Sequence, residues 1–384
     1  MADNNEYMID VAKEATYLNQ SDEYRRLYAQ WRADPENLYG YQFVHDTREH
    51  SYIDGKGYVP HLAEVAESIS LVKCCSLMGS CLLITLMLDI IWYFISLAAF
   101  PEQSGIYIYR SQLAKPPEAS LLFVLASGIH TALRYLLPTV VFAKVSGIPK
   151  KVALPRSRRR LDLLGNSIII MLLIMLLGRI LNPLLGIIFS WINVDTMYSL
   201  TYFSRDPATI IVTFIFTCLL MPILQEILCR GVMLQALRQF GDLFAVIATS
   251  LITAMMFYDF TYYGQVAICF VVLSVVTIRT GSIITPIIMS IISHTLNFTL
   301  SYITLLGIEQ AQLIEALVCT AVIGTSIIAY SKLMNDRHKL LTVTQTVTGL
   351  RFIKKIQLLV TSTTVTLWIS ASIVMSFIVM RLLK

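Results

Sequence analysis

Residues 208–231 read Ala-Thr-Ile-Ile-Val-Thr-Phe-Ile-Phe-Thr-Cys-Leu-Leu-Met-Pro-Ile-Leu-Gln-Glu-Ile-Leu-Cys-Arg-Gly. From Ala208 to Leu224 the run carries no charge. As a helix rising about 1.5 Å per residue, it covers most of a hydrocarbon core roughly 30 Å thick. Gln225, Glu226 and Arg230 then arrive together at its end. A carboxylate and a guanidinium at hydrocarbon depth are costly, so this cluster is a functional-site candidate. Glu226 and Arg230 stand four residues apart, one helical turn, and pair on one face.

Composition agrees with a chain dissolved in lipid. Of 384 residues, 56% are hydrophobic and 14% charged, and mean hydropathy is +0.66. The fold expected is all-α: a polytopic transmembrane helical bundle of eight or nine spans (residues 71–384) behind a short cytosolic helical N-terminal region (residues 1–70). Net charge is +5, but the basic residues flank apolar runs, which excludes a nucleic-acid partner. The partner is the lipid bilayer. The seven cysteines show no paired C-x-x-C spacing, there is no H-E-x-x-H, and His130 and His294 are the histidines inside apolar runs. No metal and no cofactor is expected.

The spans expected are 76–99, 119–142, 162–190, 208–229, 243–262, 265–279, 283–306, 312–333 and 357–380, the sixth being the shortest. Ahead of them, Tyr24, Leu27, Tyr28 and Trp31 fall on one helical face after an N-cap at Ser21. No cleavable signal precedes the first span, which serves as the insertion signal. Lys150, Lys151, Arg156, Arg158, Arg159 and Arg160 crowd the 144–160 loop, and 332–355 is also basic. Loops 191–207 and 307–311 are nearly free of Lys and Arg. The positive-inside rule puts the basic loops and the N-terminus in the cytoplasm of a cytoplasmic membrane.

Turns at Gly241-Asp242 and Thr280-Gly281 set depth. Counting about 1.5 Å per residue from them, Gln225 and Glu226, Phe257–Thr261, and His294 all lie roughly 20–24 Å in. Three helices thus bring polar side chains to one level, in a shared pocket expected to open toward the cytosol. Cleaving a peptide bond needs a base for water and donors for the developing oxyanion. Glu226 is the candidate base, Arg230 its orienting partner, and His294 with Asn297 the candidate donors. Asp259 reads as an interfacial residue, while Asp89, His130, Arg134, Arg179 and Asn182 read as polar contacts between helices.

In order and spacing these stretches resemble the CPBP family, the CAAX prenyl proteases and bacteriocin-processing membrane peptidases, over about residues 205–305. The family's E-E-x-x-x-R followed by Gly is Gln225 to Gly231 here. Its F-x-x-x-H is Phe257 to Thr261. Its H-x-x-x-N region follows Gly281-Ser282, with Ser290 at the family's His spacing and His294 and Asn297 a turn later. The resemblance implies peptide-bond hydrolysis within the membrane and a peptide or lipidated-protein substrate. It also implies impairment, because the family's water-activating pair falls on Gln225 and Thr261, neither of which accepts a proton. Two alternatives stay open. One is a non-catalytic protein of immunity or chaperone type, holding a peptide or lipidated tail in the same cavity. The other is a small-solute transporter using Asp89, Glu226 and His294.

Overall fold

A computed structural model describes residues 52–53, 57–58, 63–101, 118–156, 164–191, 204–335, 343 and 350–381. The expected N-terminal helix around Tyr24–Trp31 lies outside them. A two-residue antiparallel ladder pairs β1 (Tyr52–Ile53) with β2 (Gly57–Tyr58). The rest is helical: α1 (Ala63–Ala99), α2 (Leu121–Ser146), a short α3 (Lys150–Ala153) and α4 (Leu164–Trp191). Then come α5 (Pro207–Arg238), α6 (Asp242–Met255), α7 (Phe260–Thr280), α8 (Ile284–Leu305), α9 (Ala311–Met334), α10 (Phe352–Thr361) and α11 (Thr363–Arg381).

Among the described residues, seven helices are long and apolar enough to cross a bilayer. The count becomes eight if α10 and α11, bent by 73° at Ser362, form one span. The polytopic helical bundle is therefore as expected, but a ninth full span is not present there. The expected fifth span, 243–262, is α6, which has 14 residues, roughly 21 Å at 1.5 Å per residue and short of the hydrocarbon core. The chain breaks at Met256–Asp259, where Tyr258 takes a positive φ of 54°, uncommon for a bulky side chain. Asp259 then caps α7 by accepting from the Thr261 amide. The expected short sixth helix starts earlier for this reason and reaches 21 residues.

Contacts between loops define the two ends of the bundle. The Ile283 amide donates to Pro155 (2.8 Å) and Lys355 Nζ to the Phe240 carbonyl (2.5 Å). Lys355 also faces Glu67 at 3.4 Å, whose Oε2 accepts from the Leu350 amide. Glu67, Pro155, Phe240, Ile283 and Lys355 therefore share one end, the end with Lys150 and Lys151. At the other end the Tyr302 hydroxyl donates to the Ser204 carbonyl, and Arg205 faces Glu118.

Small residues let helices meet at backbone distance. A Cβ on Gly79 would come within 2.5 Å of the Val365 amide, so α1 and α11 lie against each other with little side chain between them. Thr364 donates there to the Ser76 carbonyl. The core sits between α5 and α6, where Leu228, Val232, Leu237, Phe244, Ala245 and Ala248 are buried.

Candidate functional site

Helix α5 is not uniformly α-helical. Ile215–Leu220 and Ile227–Met233 are π-helical, and the α-helical piece Met221–Glu226 lies between them. Pro222 contributes, because it has no amide proton to give the usual i→i−4 bond. Stretches of this kind recur at functional sites. This one carries Gln225 and Glu226.

Glu226 and Arg230 are each 1% exposed. Arg230 Nε faces Glu226 Oε2 at 3.4 Å. The guanidinium lies 3.9 Å from the Phe270 ring centroid and donates to the Phe270 carbonyl at 3.3 Å. The other carboxylate oxygen accepts from Ser290 Oγ at 2.8 Å. Gly231 follows because the backbone of α3 passes close: a Cβ there would lie 2.7 Å from the Ala153 carbonyl oxygen. The Arg-Gly pair thus joins an electrostatic requirement to a steric one.

Beside this wall lies a cavity of about 760 Å³, within the range of ligand-binding clefts. Gln225, Phe257, Asp259, Ser290, His294 and Asn297 all line it. The three stretches singled out in the sequence therefore do meet. Glu226 and Arg230 are not in the lining; Ser290 stands between the carboxylate and the cavity. The walls are largely apolar, with Trp92, Phe216, Phe270, Phe298, Met175 and Met375.

The cavity runs toward the end opposite the basic loops. Its lining includes Phe94 near the end of α1, Val124 near the start of α2, Thr213 near the start of α5, and Ile378 near the end of α11. The expectation of a pocket opening on the side of the basic loops is corrected on this point. The break at Met256–Asp259 is the reason. It leaves a gap in the part of the bundle away from the basic loops, whereas near those loops α5, α6 and α7 pack against one another.

His294 and Asn297 differ in their ties. His294 lends its carbonyl to the Cys218 thiol (3.7 Å) and is one of the residues lining the cavity. Asn297 Oδ1 accepts from Arg179 Nη1 at 2.8 Å, and Arg179 is held by Glu315 at 2.7 Å. Asn297 is therefore part of a link between α4, α8 and α9 as well as of the lining. Thr261, at the family's second-motif histidine, spends its hydroxyl on Asp259 Oδ1 at 2.6 Å. Asp259 is 4% exposed and is a buried helix cap, not the interfacial residue expected.

A second polar group on the lining was legible in the sequence only as separate helix contacts. Asp89 Oδ1 faces His130 Nε2 at 3.1 Å and Arg134 Nε at 3.0 Å. Its Oδ2 accepts from the Tyr258 hydroxyl at 3.0 Å. Arg134 Nη2 donates to the Met256 carbonyl at 2.7 Å, and His130 stacks on Trp92. One carboxylate thus ties α1 and α2 to the helix break. No periodicity announces it, since the partners are 41 to 169 residues apart. Among the described residues no group of three or more His, Cys, Asp or Glu side chains is arranged to hold a metal ion.

Residues 207–297 match the family model described as type II CAAX prenyl endopeptidase Rce1-like. The matched segment contains Glu226, Arg230, Thr261, Ser290 and His294, so the similarity to that family lies in the motif-bearing part of the chain. The chain matches none of the curated proteins and no solved structure.

Proposed function

We propose that this protein is an intramembrane peptidase homologue that takes an extended peptide or a lipidated tail into the cavity beside α5 and α8. The observation that supports it most is the convergence of Gln225, Phe257, Ser290, His294 and Asn297 on one cavity of about 760 Å³ inside the segment that matches the family model. In this reading Glu226 is the base and Arg230 fixes its carboxylate. His294 and Asn297 supply donors toward the carbonyl oxygen of the bond being cut. The protein sits in the cytoplasmic membrane with its basic loops and N-terminal region in the cytoplasm.

A second reading is favoured by Gln225 and Thr261. At these two positions no side chain takes a proton from water. The protein would then hold its peptide without cutting it, as an immunity or chaperone partner does. The experiment separating the two readings places purified protein in lipid nanodiscs with a library of transmembrane and lipidated peptides. The peptidase reading expects products by mass spectrometry, lost in Glu226→Gln. The holding reading expects crosslinks from a photoreactive residue at position 216 and no products. Neither products nor crosslinks would exclude both.

A further inference from the structure

We infer that Ser290 is a nucleophile, activated by Glu226, so that hydrolysis in this cavity runs through an acyl-enzyme rather than by direct attack of water. The inference rests on the peptidase reading above and changes its chemistry. Three observations carry it.

The base proposed for water does not touch the cavity, whereas Ser290 does. Ser290 Oγ donates to Glu226 Oε1 at 2.8 Å, so before acylation that hydroxyl is the group set between this carboxylate and the cavity. The carboxylate is held on its other side by Arg230 at 3.4 Å. This gives nucleophile, base and orienting group in contact, the arrangement that marks an activated hydroxyl. Finally, His294 lies one turn beyond Ser290 on α8 and lines the same cavity. A carbonyl carbon set over Ser290 would therefore place its oxygen on the side of a ring N–H donor. A serine that merely satisfied a buried carboxylate would have no need to reach the cavity.

The step balances with one water. A bond forms from Ser290 Oγ to the carbonyl carbon as the hydroxyl proton moves to Glu226. The C–N bond breaks, and that proton leaves on the departing amine. Water then adds to the acyl carbon, gives its proton to Glu226, and Ser290 Oγ recovers it as the acid departs.

The test uses an alkyl fluorophosphonate on the full chain in nanodiscs, with the adduct located by peptide mapping. Displacement of fluoride by the serine oxygen reports the nucleophile whether or not a peptide substrate is known. One adduct is expected, on Ser290, with Ser127 and Ser293 of the same lining unlabelled. Glu226→Gln still accepts the Ser290 hydrogen bond but takes no proton, so labelling should slow at least 100-fold when compared at equal amounts of folded protein. Ser290→Ala should not label at all. Labelling of Ser290 without peptide cleavage would uphold the nucleophile and count against the peptidase reading. Peptide cleavage with no adduct on Ser290, or an adduct formed equally fast in Glu226→Gln, would overturn the inference and leave the peptidase reading standing.

Discussion

Arg230 and Arg134 each face a carboxylate inside the bundle, the first on its own helix and the second across to α1. Around Arg230 everything is dry: both members of the pair are 1% exposed, and a phenyl ring covers the guanidinium. Around Arg134 the side chains keep 13–16% of their surface, on the cavity. Asp89 there has a histidine and a tyrosine as further partners. Taking two charges out of water costs several kcal/mol per ion, recovered only with good geometry and satisfied neighbours. The dry pair has little slack if one member is lost. At the cavity pair, water and a second donor can fill in.

The largest effect expected from this contrast is on Arg230. Arg230→Met leaves the Glu226 carboxylate buried without its cation and should destabilise the protein by about 3–5 kcal/mol. Unfolding by denaturant in mixed micelles would measure it. Arg230→Lys should recover only part of the loss, because an ammonium cannot both lie flat on Phe270 and reach its carbonyl. A cost under about 1 kcal/mol for Arg230→Met would mean that water reaches the pair, and the contrast would collapse.

A smaller loss is expected at the cavity. Asp89→Asn weakens charge-assisted bonds to His130, Arg134 and Tyr258 without stranding a dry charge, at a cost of about 1–2 kcal/mol in the same assay. A loss as great as that of Arg230→Met would show the two sites to be equally dry.

The smallest effect lies outside the bilayer and calibrates the other two. Asp206 caps α5, and the Thr209 hydroxyl and amide hold its carboxyl below the usual carboxylate range. A lowered folded pKa stabilises above the unfolded value, so this contribution is present at neutral pH and fades as pH falls through the carboxylate range. Asp206→Asn, which caps but does not titrate there, should remove that slight acid sensitivity. An unchanged pH profile would show that the cap carries no net weight.

Much of the candidate site could be read in the sequence because its parts are local. Glu226, Arg230 and Gly231 are fixed by spacing on one helix, and the turns at Gly241 and Gly281 set the common depth of Gln225, Phe257 and His294. What escaped was non-local or conformational. The aromatic run Phe257–Tyr263 holds a single charge and no Gly or Pro, so nothing in it marks an end and the expected fifth helix runs to 262. The actual stop is a backbone change at Tyr258, which composition does not record. Ser290 stands at the family's histidine spacing, and its bond to Glu226, 64 positions away, is not visible in that spacing. The tie that holds Asn297 by its carbonyl oxygen, leaving its amide N–H groups as donors, comes from Arg179, 118 positions away in the chain. The end toward which the cavity runs depended on the short α6, which no residue count along α5 or α8 could supply.

The π-helical turns on either side of Met221–Glu226 give α5 a property that side-chain exchange does not. Each wide turn harbours a surplus residue relative to an α-helix. Deleting one residue between Ile227 and Met233 would let that turn close to ordinary pitch with both halves of the rod keeping nearly their facing, because the wide turn already absorbs the surplus residue. Inserting or removing a residue where the helix is regular would instead turn everything beyond it by about 100°. The wide turns are thus where this helix tolerates a change of length without re-aiming the groups on either side.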